Sequence, residues 1–125
     1  MTSRFCRFGL VGLMGAAVQV AAFHALIRWL GVPAVAAAPV AVELAVLHNF
    51  LWHDRFTWSD RKAPGRLWRF HVANGLVSIV GNTILAWWLV QQLHVPAAPA
   101  AVVAIAVCAP VNFWVADRWV YQRVE

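Results

Sequence analysis

The sequence has few charged residues. Only 12% of its 125 residues are Asp, Glu, Lys or Arg, whereas 62% are hydrophobic and the mean hydropathy is +0.67. A soluble domain typically contains about 25% charged residues, and a chain this short has too much surface for its volume to hide so many apolar side chains from water. The composition therefore excludes an ordinary soluble domain and indicates a protein that lies in a lipid bilayer.

The sequence also lacks the motifs of common enzymes and cofactor-binding proteins. It contains no Ser-His-Asp set, glycine-rich phosphate loop or acidic pair with catalytic spacing. The spacing of His48 and His53 places them poorly on one helix face, and no cysteine or carboxylate completes a metal site with them. Cys6 precedes the first apolar run and Cys108 lies deep in the last, so a disulfide bond between them is not expected. We therefore predict that the protein is not an enzyme and binds neither a metal nor a cofactor.

Four apolar runs are each long enough to cross a membrane. They cover residues 8–30, 32–52, 70–93 and 95–116. A hydrocarbon core of about 30 Å requires roughly 20 helical residues at about 1.5 Å each, and backbone polar groups in lipid must be paired, which favours helices. Tight turns join the runs within each half, and a longer polar connection, 53–69, joins the halves. The sequence predicts an all-α, integral membrane four-helix bundle that forms a single domain over 1–125.

The basic residues gather at one end of these runs. Of the ten Lys and Arg residues, only Arg28 lies toward the tight turns. Because positive charge is retained on the cytoplasmic side, we predict a multi-pass protein of the cytoplasmic (inner) membrane with both termini and the 53–69 connection in the cytoplasm. Cleavage of the first run as a signal peptide would break this pattern. Membrane orientation accounts for the net charge of +5, so nucleic acid is not an expected partner.

The chain contains an internal repeat. Residues 49–58 (NFLWHDRFTW) and residues 112–121 (NFWVADRWVY) align at a constant offset of 63. Asn, Phe, Asp and Arg match identically, and two aromatic positions match in kind. Because two helices return the chain to its starting side, we predict two parallel two-helix repeats related by an axis along the membrane normal.

These segments resemble the GtrA-like family of four-helix membrane proteins. The resemblance rests on residues 7–12 (RFGLVG), the repeated segments 49–58 and 112–121, and Arg69-Phe70 at the start of the third run. It covers nearly the whole chain and implies translocation of a polyprenyl-phosphate-linked sugar across the cytoplasmic membrane, with membrane lipids and a membrane glycosyltransferase as partners. The sequence departs from the family at His53-Asp54, where many members carry Asn-Arg, which leaves Arg55 as the basic residue of the first repeat.

Four arginines recur at corresponding ends of the runs and are candidates to bind a lipid phosphate: Arg7, Arg55, Arg69 and Arg118. A guanidinium group can donate two parallel hydrogen bonds to a phosphate. The alternative is that each arginine only orients the protein and attracts anionic lipid, which contributes about 1 kcal/mol per charge. For the symmetric pair Arg55 and Arg118 we favour phosphate contact; the alternative is that Asp54 and Asp117 hold these arginines in place.

Polar side chains inside the apolar runs are candidates for a translocation groove. The predicted groove residues are Glu43, Asn49, His71, Asn74, Ser78, Asn82 and Asn112. The four from the third run share one helix face. An acid near the middle of a span costs about 3 kcal/mol, so Glu43 should face the bundle interior and have a partner. The alternative for each residue is interhelical hydrogen bonding, worth about 0.6 kcal/mol per contact.

Two other functions fit the same sequence. One is a membrane anchor or assembly partner of a glycosyltransferase, which a small polar bundle could equally serve. The other is a proton-coupled exporter similar to the small multidrug-resistance proteins, although their membrane Glu lies in the first helix and Glu43 lies in the second. From its small size, we expect the translocating bundle to work as a homo-oligomer.

Overall fold

The computed structural model describes residues 2–123 and contains four long helices. They are α1 (Thr2–Arg28), α2 (Ala34–Thr57), α3 (Arg66–Leu93) and α4 (Ala97–Val120). Each is long and apolar enough to cross a membrane, and no strand occurs within residues 2–123. The predicted all-α membrane fold with four spanning helices is confirmed.

The helices extend beyond the apolar runs at the ends that carry the basic residues. α1 begins at Thr2 rather than at residue 8, and α3 begins at Arg66 rather than at residue 70. α2 and α4 end at Thr57 and Val120 rather than at residues 52 and 116. Hydropathy marks the part of a helix that needs lipid, so it misses terminal turns whose polar side chains reach water. We call this end of each helix pair its basic end.

Wide π-helical turns close α2 and α4. They span His53–Thr57 and Ala116–Val120. The following residue donates its N–H back across each turn, from Trp58 to the His53 carbonyl and from Tyr121 to the Ala116 carbonyl, both at 2.8 Å. A third π-helical segment, Gly75–Gly81, interrupts α3. Such segments are rare and occur frequently at functional sites, because they redirect the side chains that follow.

The two tight turns share one backbone conformation. Gly31 has φ 65° and His94 has φ 54°, both in the left-handed region, and Pro33 or Pro96 then starts the next helix. Each turn is closed by a hydrogen bond of the Schellman type, from Val32 N–H to the Leu26 carbonyl at 3.0 Å and from Val95 N–H to the Leu89 carbonyl at 3.1 Å. The turns therefore match at the offset of the sequence repeat.

The chain forms two compact units, one ending at Asp60 and the other starting at Arg61. Each unit contains one helix pair, α1 with α2 or α3 with α4. The second helix of each pair buries a stripe of small residues: Ala37, Ala41 and Ala45 in α2, and Ala100, Ala104 and Cys108 in α4. Small side chains permit close approach of helix backbones in membranes. Each sequence repeat thus folds as one helix pair, and the parallel relation of the repeats stays a prediction.

Candidate functional site

Arg7 and Phe56 join the two helices at the basic end of the first unit. The Arg7 Nη1 donates to the Phe56 carbonyl at 3.2 Å, and the guanidinium carbon lies 5.0 Å from the centroid of the Phe56 ring. The hydrogen bond satisfies a carbonyl at the end of α2, and the ring face attracts the cation. Arg7 is therefore held in a defined position although its side chain is exposed.

Arg69 and Trp119 form the corresponding link in the second unit. The Arg69 Nη1 donates to the Trp119 carbonyl at 3.4 Å, and its guanidinium carbon lies 5.7 Å from the Trp68 ring centroid. Trp68 in turn packs edge-to-face on Trp119, with the ring centroids 5.7 Å apart. The predicted equivalence of Arg7 and Arg69 is thus visible as the same contact in each repeat.

Arg55 and Arg118 immediately precede Phe56 and Trp119 in the sequence. Both side chains are exposed, and within residues 2–123 neither makes a hydrogen bond or ion pair. The expectation that Asp117 would hold Arg118 is wrong, because Asp117 is paired with Arg61 instead. Each basic end therefore presents one arginine anchored to backbone and a neighbouring arginine whose donors face outward.

The Arg61–Asp117 ion pair lies inside the basic end of the second unit. The Arg61 Nη1 is 2.9 Å from the Asp117 Oδ1, and the side chains are only 9% and 7% exposed. The same nitrogen donates to the carbonyls of Asp117 at 3.0 Å and Tyr121 at 3.1 Å. These bonds fix the middle of the connection between α2 and α3 against the wide turn that ends α4. The sequence signalled Arg61 only as a charge for orientation, since its partner is distant along the chain.

A second ion pair, also missed from the sequence, lies at the basic end of the first unit. The two terminal nitrogens of Arg4 face the two carboxylate oxygens of Asp60, at 3.0 and 3.2 Å. Arg4 Nη1 also donates to the Thr57 carbonyl at 3.2 Å. Next to this pair is a cavity of about 320 Å³ lined by Ser3, Arg4, Arg7, Thr57, Ser59 and Asp60.

His53 is a packing residue of the same end. Its ring stacks on Phe8 with centroids 5.0 Å apart and an interplanar angle of 12°, and Trp58 meets it edge-on at 5.3 Å. The His53 Nδ1 and the Thr57 hydroxyl lie 3.0 Å apart. At the place where the sequence departs from the GtrA-like pattern, the side chain is thus buried in an aromatic cluster rather than directed toward a ligand.

Three predicted groove residues meet in the second unit. The Asn112 Nδ2 on α4 donates to the Ser78 hydroxyl on α3 at 2.9 Å, and that hydroxyl donates to the Asn74 Oδ1 at 3.4 Å. Asn82, further along α3, has a buried Oδ1 with no hydrogen-bond partner within residues 2–123. This polar column runs from the first turns of α3 into the span.

His71 makes a contact within its own helix. Its Nδ1 lies 3.2 Å from the Leu67 carbonyl one turn earlier in the same helix. The helical spacing predicted one continuous face from His71 to Asn82, but this contact directs the His71 ring back along its own helix. The π-helical segment Gly75–Gly81 further changes the register between Asn74 and Asn82.

Asn49 is the counterpart of Asn112 in the first unit, and Gly15 is the counterpart of Ser78. A Cβ added to Gly15 would overlap the side-chain amide of Asn49, so that amide lies directly against the α1 backbone. The Asn49 Oδ1 is also 3.3 Å from the His48 Nδ1. Both repeats therefore place an asparagine amide at the same contact between their two helices.

Glu43 does not have the interior position that the sequence argument expected. Its side chain is exposed near the middle of α2. The buried stripe explains this position, because Ala41 and Ala45 lie two residues away on either side, and about 100° of rotation per residue places Glu43 on the opposite face. Glu43 is therefore directed toward whatever covers the outer face of α2.

The described part of the chain holds no group of three or more His, Cys, Asp or Glu side chains that could bind a metal. Polar chemistry in residues 2–123 is concentrated in the two basic ends and the amide contacts.

Residues 7–121 match the model of the GtrA/DPMS transmembrane domain family. The chain belongs to this family. The resemblance drawn from the sequence is thereby confirmed, as is the assignment to multi-pass membrane proteins. Membership in the GtrA/DPMS family supports a part in the handling of polyprenyl-phosphate sugars.

A curated relative of this GtrA/DPMS domain is the dolichol-phosphate mannosyltransferase of Pyrococcus furiosus. The two are 39% identical over 89 residues, which is 69% of this chain and 25% of that protein. The chain thus corresponds to about a quarter of the length of the relative that it matches. The matched family region includes Arg7, Arg55, Arg69 and Arg118, whereas Arg4 precedes it.

Proposed function

We propose that this GtrA/DPMS-family protein moves a polyprenyl-phosphate-linked sugar across the cytoplasmic membrane. The main support is that Arg55 and Arg118 are exposed at equivalent turns and have no protein partner within residues 2–123. The linked phosphate is an anion, and a guanidinium with uncommitted donors can bind it through two parallel hydrogen bonds. Arg7 and Arg69, anchored on the adjacent carbonyls, add fixed positive charge beside each one.

The amide contacts supply the second half of the mechanism. A sugar entering lipid without partners loses hydrogen bonds to water, and each uncompensated polar group costs several kcal/mol. The column Asn74–Ser78–Asn112, with Asn82 beyond it, offers exchangeable donors and acceptors within the span. His71, closer to the basic end of α3, is the proposed entry to this path, while the isoprenoid tail stays in lipid. Such a path only lowers the free-energy barrier to transbilayer movement, so the lipid-linked sugar can move down its own concentration gradient without nucleotide hydrolysis.

The proposal also covers the orientation, self-association and partner enzyme of the protein. The basic ends and both termini face the cytoplasm, because positive charge is retained there. The chain moves the lipid-linked sugar rather than making it, and copies of the bundle associate so that the exposed Glu43 face is covered. A membrane glycosyltransferase supplies or uses the cargo.

Transbilayer movement in proteoliposomes tests the proposal. A fluorescent short-chain polyprenyl-phosphate hexose is followed into the protected leaflet, with native protein, Arg55→Ala/Arg118→Ala and the control Arg28→Ala, whose arginine lies at the opposite end of α1. We expect native protein and the control to move the lipid well above the rate of empty liposomes, and the double variant to be at least about tenfold slower. Equal rates with folded native protein and with empty liposomes would refute the flipping function.

A second candidate function is the anchoring of a glycosyltransferase. It is favoured by the match to only 25% of a protein named as a mannosyltransferase, so in that relative this domain accompanies a much longer remainder. An anchor would retain and activate a co-expressed glycosyltransferase in membranes without moving lipid. Enzyme activity that depends on this chain, with no accelerated lipid movement, would favour anchoring.

A further inference from the structure

We propose that Arg4, Arg7, Ser3 and Ser59 form a second phosphate site at the basic end of the first unit, with the Asp60 carboxylate as a built-in competitor for the phosphate. The site deepens the proposed function, on which the choice of a polyprenyl phosphate as ligand rests. It shares Arg7 with the position proposed around Arg55, but its central residue, Arg4, precedes the region matched by the family.

The geometry of the Arg4–Asp60 pair is the first support. Two terminal guanidinium nitrogens face two oxygens of one anion, at 3.0 and 3.2 Å. A phosphate presents two oxygens to the same fork. The Thr57 carbonyl, 3.2 Å from Arg4 Nη1, holds the fork in this orientation. The carboxylate therefore marks the place where a phosphate would be bound.

The exposure of the pair is the second support. The Asp60 side chain is 58% exposed and that of Arg4 is 23% exposed. Solvent-exposed ion pairs contribute little to stability, so Asp60 can be displaced by a better anion at small cost. The Arg61–Asp117 pair of the other unit, at 9% and 7% exposure, is enclosed and has no such freedom. One basic end thus holds an exchangeable pair and the other a locked one.

The adjoining cavity is the third support. Its volume of about 320 Å³ is within the range of small-ligand sites, about 300–1,000 Å³. Ser3 and Ser59 contribute hydroxyl groups to its wall, and Arg7 contributes a second cation that is already fixed on the Phe56 carbonyl. The Thr57 hydroxyl lies close to His53, so the serines are the hydroxyls that can turn toward an anion.

Binding to the purified full-length protein in detergent tests this site. The probe is farnesyl phosphate, a short prenyl monophosphate, measured by titration calorimetry, with inorganic phosphate in a parallel series. Arg4→Ala should weaken binding about tenfold or more, and Arg4→Lys should recover only part of the loss because the fork is absent. Asp60→Asn should tighten binding severalfold, a gain that misfolding cannot imitate. Arg28→Ala is the control and should bind as native protein does.

The possible outcomes separate a failure of this site from a failure of the flipping function. Unchanged affinity in both Arg4→Ala and Asp60→Asn, with loss of binding in Arg55→Ala/Arg118→Ala, would place the phosphate elsewhere and leave the flipping function intact. Binding of inorganic phosphate but not of farnesyl phosphate, with the same dependence on Arg4 and Asp60, would exclude a lipid ligand. The predicted binding changes without lipid movement by native protein would support the site and refute the flipping function.

Discussion

Asn112 donates a hydrogen bond of 2.9 Å to Ser78, and the Asn49 amide lies against Gly15 at the corresponding contact of the first repeat. The two helix pairs therefore use the same asparagine in different ways. In the second pair the partner is a hydroxyl, and in the first it is bare backbone that leaves no space for a side chain. A separate prediction follows from each contact.

Gly15→Ala should destabilise the protein by about 1–3 kcal/mol, because the added methyl group overlaps the Asn49 amide and displaces it from its contact with α1. Thermal unfolding in detergent measures the change. Gly12→Ala is a matched control on the same helix, since nothing lies within 4 Å of a Cβ there. The double variant Gly15→Ala/Asn49→Ala should recover part of the loss. Equal unfolding temperatures for the two single glycine variants would contradict the close contact.

Ser78→Ala should destabilise the second helix pair by about 1 kcal/mol, because Asn112 loses its acceptor inside the span. A double-mutant cycle with Asn112→Ala isolates the pair and should give a coupling energy of about 0.6–1.7 kcal/mol. Strictly additive effects would show that the two side chains do not interact in the membrane.

Arg61→Ala should be far more destabilising than Arg4→Ala. Removal of Arg61 takes one cation away from the nearly enclosed Asp117 carboxylate, which costs about 3–5 kcal/mol. The exposed Arg4–Asp60 pair contributes at most about 1 kcal/mol. Denaturant or thermal unfolding of the two variants under one set of detergent conditions makes the comparison. Similar losses would mean that enclosure does not distinguish the pairs.

Arg55→Lys/Arg118→Lys should transport the lipid-linked sugar at a rate between those of native protein and the double alanine variant. Lysine keeps the charge but cannot offer two parallel donors to one phosphate. The proteoliposome assay gives the three rates directly. Native rates in the lysine variant would assign these positions a role in general attraction to anionic lipid, without a fitted phosphate contact.

The sequence predicted the four helices because long apolar runs have few alternatives in lipid, and it predicted the repeat because the Asn49 and Asn112 segments align. It misplaced the helix ends at Thr2 and Val120, since polar terminal turns carry no hydropathy signal. It also expected Glu43 inside, because hydropathy shows that an acid needs a partner but not which face the helix buries. That face is selected by the buried alanines of α2.

The ion pairs could not be predicted from local pattern. Arg4 and Asp60, like Arg61 and Asp117, are 56 residues apart, and neither pair repeats with helical or strand spacing. The arginines were visible as charges that set orientation, but their partners depend on how the connection folds back over the helix ends. The sequence marked Arg7, Arg55, Arg69 and Arg118, because they recur at corresponding ends of the apolar runs, but it did not mark Arg4 or Arg61.

His94 carries a cost that its counterpart Gly31 avoids. A side chain in the left-handed region costs a non-glycine residue about 1–2 kcal/mol, and His94 holds φ 54° at the turn where Gly31 holds φ 65°. Removal of this strain should therefore stabilise the second helix pair, at the end opposite its arginines. His94→Gly should therefore give a more stable protein for crystallisation or cryo-microscopy, and it leaves the basic ends unchanged.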